Sequence, residues 1–145
     1  MTGTNHFLTG VGIATVIKQP LLAIPLAFCS HFLLDILPHY GKDTIKNYKK
    51  VWLTDASLLL VSFIYLLITG WSLWAIVAGF AAMSPDTAWL YRFAIKEKWG
   101  KLPAGPKNKF NAFHSRIQTR EFAKGIWVDA AYFVVLASTL VITKN

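Results

Sequence analysis

The sequence predicts an all-α fold: a polytopic membrane helical bundle of about five transmembrane helices with one interfacial amphipathic helix. Three observations predict it. Of 145 residues, 54% are apolar and only 15% charged, where a soluble domain carries about a quarter charged. Four long stretches, 21–38, 52–69, 71–84 and 126–142, contain no Lys or Arg. The basic residues, finally, concentrate between those stretches in an alternating way.

The first element, 6–17 with a start near Gly3, is short for a span and ends at the breaker Lys18-Gln19-Pro20. It lacks a basic leader region and a clear cleavage site, so it is not read as a secretory signal. The second, 21–38, should stop at Pro38, because a proline drives the residue before it out of the helical region. Residues 52–84 form an apolar run broken only by Gly70. At ~1.5 Å per residue that run is ~50 Å long, too long for one ~30 Å hydrocarbon core. It therefore predicts a helical hairpin turning at Thr69-Gly70. Segment 89–99 is aromatic with interspersed Arg92, Lys96 and Lys98, the pattern of an interfacial helix. The last span is 126–142. All of this makes one domain, 1–145, with loops at 39–51 and 92–125.

Five spans place 13 of the 15 Lys and Arg on the side of the N-terminus and those two loops, leaving only Lys18 and Lys144 opposite. The positive-inside tendency makes the basic side cytoplasmic, in a cell (inner) membrane, with the C-terminus outside. The net charge of +8 is then a signal of topology and of contact with anionic lipid headgroups, and nucleic acid is not the expected partner. The lone Cys29 excludes an internal disulfide and reads as a reduced, buried thiol.

All four histidines and all seven acids lie on the same half as the basic loops. Ionisable groups in apolar helices are costly unless paired, hydrated or bound to metal, so they are candidates for function. The densest group is 30–39, Ser-His-Phe-Leu-Leu-Asp-Ile-Leu-Pro-His. His31 and Asp35 are four apart and share a helix face, a spacing that suits chelation of one ion. His39, beyond Pro38, either folds back to that ion or serves a second one. Imidazole and carboxylate without thiolate suggest zinc, with manganese and iron as alternatives. His6, followed by Gly10 and Gly12, which would admit a neighbouring helix closely, is a further candidate ligand. So are Asp55, one turn inside a span, and Asp86. For Asp86 the competing reading is a helix start, with Ser84 as cap and Pro85 as first residue. Asp129 either joins the site or pairs with a loop cation. His114 would cap the site, Arg116 would clamp a phosphate through its guanidinium fork, and an acid left unligated, Asp55 or Asp86, would be the general base.

Segment 30–39 resembles the signature of small bacterial integral-membrane proteins of the membrane-bound metal-dependent hydrolase type. Those proteins also carry a His near the start of the first span, a Pro-Asp at a helix end and further histidines. The resemblance implies a metal site whose counterparts here are His6, His31 with Asp35, Asp86 after Pro85, and His114. The expected function is hydrolysis of a lipid or amphipathic phosphoester at the cytoplasmic membrane face by a divalent metal. Two alternatives stand beside it. One is a non-catalytic membrane protein with a structural metal that binds a partner through its basic loops. The other is an ion- or proton-handling transporter, which at five spans would require a homo-oligomer.

Overall fold

The computed structural model describes residues 1–87, 91 and 108–144. Among the described residues the chain forms six α-helices: α1 (Gly3–Val16), α2 (Pro20–Ile36), α3 (Ile45–Ile68), α4 (Leu73–Met83), α5 (Lys109–Ile117) and α6 (Ile126–Lys144). Two short strands, β1 (His39–Tyr40) and β2 (Glu121–Phe122), pair in parallel. The all-helical expectation therefore holds. Apart from Tyr91, the segment expected to be an interfacial helix, 89–99, lies outside the described residues, as does 92–107 of the expected second loop.

Local chemistry explains the boundaries. Helix α2 ends at Ile36, and Leu37 before Pro38 is extended (φ −71°, ψ 155°). Helix α3 begins seven residues before the apolar stretch does, because Thr44 caps it through Asn47 N–H. A polar first two turns (residues 45–51) is no obstacle to helix, so most of the expected 39–51 loop is helical. The predicted hairpin turn is a Schellman closure: Gly70 is left-handed (φ 69°), with Trp71 N–H on Leu66 O at 3.0 Å and Gly70 N–H on Leu67 O at 3.2 Å. Ser72 then caps α4 through Ala75 N–H.

Helix α1, the weakest of the expected apolar stretches, is the hub of the bundle and packs on α2, α3, α4 and α6. Its Phe7, Leu8 and Val11 bury against Leu66, Ala75, Ile76 and Leu140. Small residues set its approach to α4: a Cβ on Gly10 would stand 2.4 Å from Ala78 O, and one on Gly79 would stand 2.7 Å from the Phe7 ring. Gly12, also expected to admit a neighbour, faces open space. Cys29 is exposed, contrary to the buried reading, because α2 turns Ala27 and Ser30 inward and leaves Cys29 on its outer face.

The five apolar helices alternate in direction. One end of the bundle gathers the N-terminus, the α2–β1 turn, Asp55, Asp86 and residues 108–126, tied together by side-chain bonds. The opposite end holds Lys18, Trp71, Ser72 and Lys144, whose Nζ lies 3.3 Å from Gly70 O. Among the described residues, two helices, Lys46–Ile68 and Ala123–Lys144, are long and apolar enough to cross a membrane. Only 6% and 17% of their most apolar windows are buried within the protein, unlike the core helix of a soluble domain. At 14, 17 and 11 residues, α1, α2 and α4 fall below the usual spanning length of about 20.

Candidate metal centre

Four side chains from three segments converge at the end of the bundle that carries the basic loops. His31 and Asp35 come from the last turns of α2, Asp86 from the 3-10 turn after α4 (Ser84–Asp86), and His114 from α5. One ligand atom of each lies within 4.8 Å of all the others. His31 Nε2 is 3.0 Å from His114 Nε2, 3.2 Å from Asp35 Oδ2 and 3.6 Å from Asp86 Oδ1. His114 Nε2 is 2.7 Å from Asp35 Oδ2 and 3.7 Å from Asp86 Oδ1. The His31, Asp35 and His114 side chains are fully buried, while Asp86 keeps 29% of its side chain exposed and forms the mouth.

The donor chemistry fits a cation. His31 Nδ1 lies 2.8 Å from the Ala82 carbonyl. A carbonyl only accepts, so Nδ1 carries the hydrogen, and in the neutral ring Nε2 is a bare lone pair. Lone pairs on His31 Nε2, Asp35 and Asp86 thus face one another around His114 Nε2. An ion at 2.0–2.1 Å from each would set tetrahedral edges of about 3.3 Å, and the five separations above straddle that value. A buried His/Asp group of this kind could hold a metal ion.

The chain order builds this outer support. Helix α4 tightens at Ser84-Pro85, where proline has no N–H to give the Ala81 carbonyl; Ser84 supplies its N–H and its hydroxyl to that oxygen instead (Oγ at 2.8 Å). Ala82 is among the last four carbonyls of α4, which lack i+4 partners, and it orients the His31 ring. The helix-start reading of 84–86 is therefore corrected: Ser84 is helical (φ −59°, ψ −30°) and closes a helix.

His6 stacks on His31 with ring centroids 3.9 Å apart and reaches the other oxygen of Asp35, Nε2 to Oδ1 at 3.2 Å. The Met1 α-amino group donates to the same oxygen at 2.6 Å. Gln118, four residues after His114, donates through Nε2 to Asp35 Oδ2 at 3.1 Å. Reading the sequence for metal ligands passed over Gln118, although its i+4 spacing from His114 is the signal that would have found it. No sequence signal marks the Ala82 carbonyl.

The remaining candidates stand apart from the cluster. His39 donates from Nδ1 to Leu37 O at 2.7 Å and has Nε2 3.7 Å from Glu121 Oε1. Its strand is pinned where Gly125 comes so close that a Cβ would overlap the His39 carbonyl. Asp55 caps α1 from α3, accepting from Gly3 N–H at 2.9 Å and Thr4 N–H at 3.1 Å. Asp129 does the same work from α6, accepting from Thr2 N–H, Tyr40 N–H and the Asn5 amide. Arg116 is exposed, two residues and so ~200° round α5 from His114. In the turn before α3, Thr44 N–H at 2.6 Å holds the exposed Asp43 carboxyl below the usual carboxylate range. Burial, then the bond to Asp43, pushes the Tyr40 hydroxyl up.

Comparison of this chain with family models, with curated proteins and with solved structures yields no match.

Proposed function

We propose that the protein is an integral-membrane metal-dependent hydrolase of the cell membrane, in the orientation that puts the basic end in the cytoplasm. Its substrate is a lipid or amphipathic phosphoester. The observation that carries the reading is the convergence of His31 Nε2, Asp35 Oδ2, Asp86 Oδ1 and His114 Nε2 within 4.8 Å at the basic end of an apolar bundle. The resemblance of segment 30–39 to metal-dependent hydrolases of the membrane agrees with that convergence. Zinc suits the donor set best, with manganese or iron as alternatives. Such an ion lowers the pKa of a bound water and polarises a phosphoryl oxygen.

The chain's own groups divide the remaining work. Asp35 takes His114 and Gln118 on one oxygen and His6 on the other, so it holds three segments in register. Ala82 fixes the ring of His31. Asp86 is the one cluster member that keeps part of its side chain exposed; with His31, Asp35 and His114 holding the ion and water in the fourth position, Asp86 would be left unligated to accept the proton of the attacking water. Hydrolysis adds hydroxyl to phosphorus and returns that proton to the leaving ester oxygen. Asp55, occupied in capping α1, is not assigned that role. Exposed apolar side chains such as Leu60, Val61 and Ile64 on α3 and Val134 and Val135 on α6 suit acyl-chain contact. Of the shorter helices, α1 packs on both of these longer ones, and α2 and α4 pack on α1 and on each other.

A second reading has its own support. Three of the four donor side chains are fully buried, which is the habit of a structural site closed by protein ligands.

Elemental analysis of the detergent-purified protein, beside Asp35→Ala and the surface control Lys46→Ala, tests the proposal. Near-stoichiometric zinc, manganese or iron in wild type and control, lost in Asp35→Ala, is the expected result, followed by phosphoester turnover that tracks metal content. A folded wild type that binds none of these ions even after incubation refutes it. Bound metal with no turnover across lipid phosphoesters leaves the structural-site reading.

A further inference from the structure

Helix α5 carries an essential part of the centre, yet of the bundle helices it packs chiefly on α2. Around its axis the residues sort into three faces at ~100° per residue. Asn111 and His114 are buried and point inward. Phe110 (40% exposed), Phe113 (52%) and Ile117 form the next face, and the exposed Lys109 and Arg116 form the one beyond. The aromatic face continues onto the lipid-exposed side of α2: the Phe32 ring is 5.5 Å from Phe113 and 6.3 Å from Phe110, and Phe28 lies 5.5 Å from Phe32. Phe32 also touches both ligand rings, 5.4 Å from His31 and 6.0 Å from His114.

Rings on one side and cations on the adjoining side make the pattern of a helix that lies in a membrane interface, rings in the acyl boundary and cations at the phosphates. Charge decides the partner, because Lys109 and Arg116 complement an anionic headgroup layer. We infer that α5 is a docking helix for an anionic lipid surface, and that its docking holds His114 in the metal centre. The binding of metal is then coupled to the lipid composition around the protein. The coupling to metal rests on the reading of the centre given above; the docking itself does not.

The test uses the full chain in nanodiscs of phosphatidylcholine alone or of phosphatidylcholine with phosphatidylglycerol, and two variants, Lys109→Gln/Arg116→Gln and Phe110→Ser/Phe113→Ser. All four positions are exposed, so folding tolerates the changes. An anionic surface concentrates divalent cations by itself, so zinc affinity is compared between proteins within one composition. At about 1 kcal/mol per basic residue near such a surface, the charge variant should bind zinc up to about 30-fold more weakly than wild type in the anionic discs and equally in the neutral ones. The phenylalanine variant should be weaker in both. Amide exchange over 109–117 should be slower in anionic than in neutral discs for wild type and alike in both for the charge variant. Equal zinc affinity of wild type and both variants in anionic discs overturns the coupling. Exchange over 109–117 that ignores lipid charge overturns the docking. If wild type binds no zinc at all, the metal reading fails while the exchange comparison still decides whether α5 docks.

Discussion

The crossing of α1 and α4 offers a perturbation whose size can be worked out atom by atom. Gly10→Ala would place a Cβ 2.4 Å from Ala78 O and 2.8 Å from both Ala78 C and Gly79 Cα, where ordinary contact begins at 3.4 Å. Those are backbone atoms and cannot rotate away, so α1 must back off α4 by about 1 Å. Overpacking of this kind costs about 1–3 kcal/mol, offset by about 0.5–1 kcal/mol from replacing a helical glycine. At roughly 4 °C per kcal/mol, the net is a fall in Tm of up to about 10 °C. Gly12→Ala, two residues along the same helix, meets nothing within 4 Å and should raise Tm by about 2–4 °C from the same propensity gain. The displacement also reaches the centre, since α4 supplies the Ala82 carbonyl 2.8 Å from His31 Nδ1 and leads into Asp86. Zinc affinity of Gly10→Ala should fall by about 10–100-fold, the usual cost of disturbing groups that orient metal ligands. Thermal unfolding in one detergent and chelator competition for zinc measure both. A Gly10→Ala protein with wild-type Tm and affinity, or a Gly12→Ala protein that falls equally far, would refute the reasoning.

Gln118→Leu removes the donor 3.1 Å from Asp35 Oδ2 and should weaken zinc binding by about 10–100-fold, with little change in helical content by circular dichroism. Asp55→Ala strips the cap from Gly3 and Thr4 N–H and should cost about 1–2 kcal/mol of stability while metal stoichiometry stays at the wild-type value. For His39→Ala the same split is expected, a lower Tm with metal retained, because His39 bonds Leu37 O outside the cluster; loss of metal here would show that the centre extends to β1. The Asp43 carboxyl is held low by Thr44 N–H, so its contribution is full above the ordinary carboxylate pKa and is lost as pH falls through the depressed value. Asp43→Asn should therefore flatten the acid limb of the Tm–pH profile, and an unchanged limb would contradict the assignment.

Much of the helical plan was legible in one dimension because its causes are local. Pro38 forces Leu37 out of the helix, Gly70 supplies the positive φ of the hairpin turn, and the apolar runs mark the helices. The i,i+4 pairing of His31 and Asp35 was legible for the same reason, since helix geometry alone puts them on one face. The start of α3 was not, because hydropathy reports burial while the Thr44 cap decides where the helix begins.

What only the tertiary structure decided is which ionisable groups meet. Asp55 and Asp86 look alike as lone acids near helix ends, yet one caps α1 and the other closes the cluster. His39 is four residues from Asp35 and stays outside, whereas His114, 79 residues away, contacts it at 2.7 Å. The role of α1 also belongs to that level: its weak hydropathy reflects Thr4, Asn5 and His6, which are buried because Asp55, Asp129 and Asp35 from three other helices receive them. A carboxylate's partner is set by distance across the bundle. Sequence spacing encodes that distance only within a turn or two of the same helix.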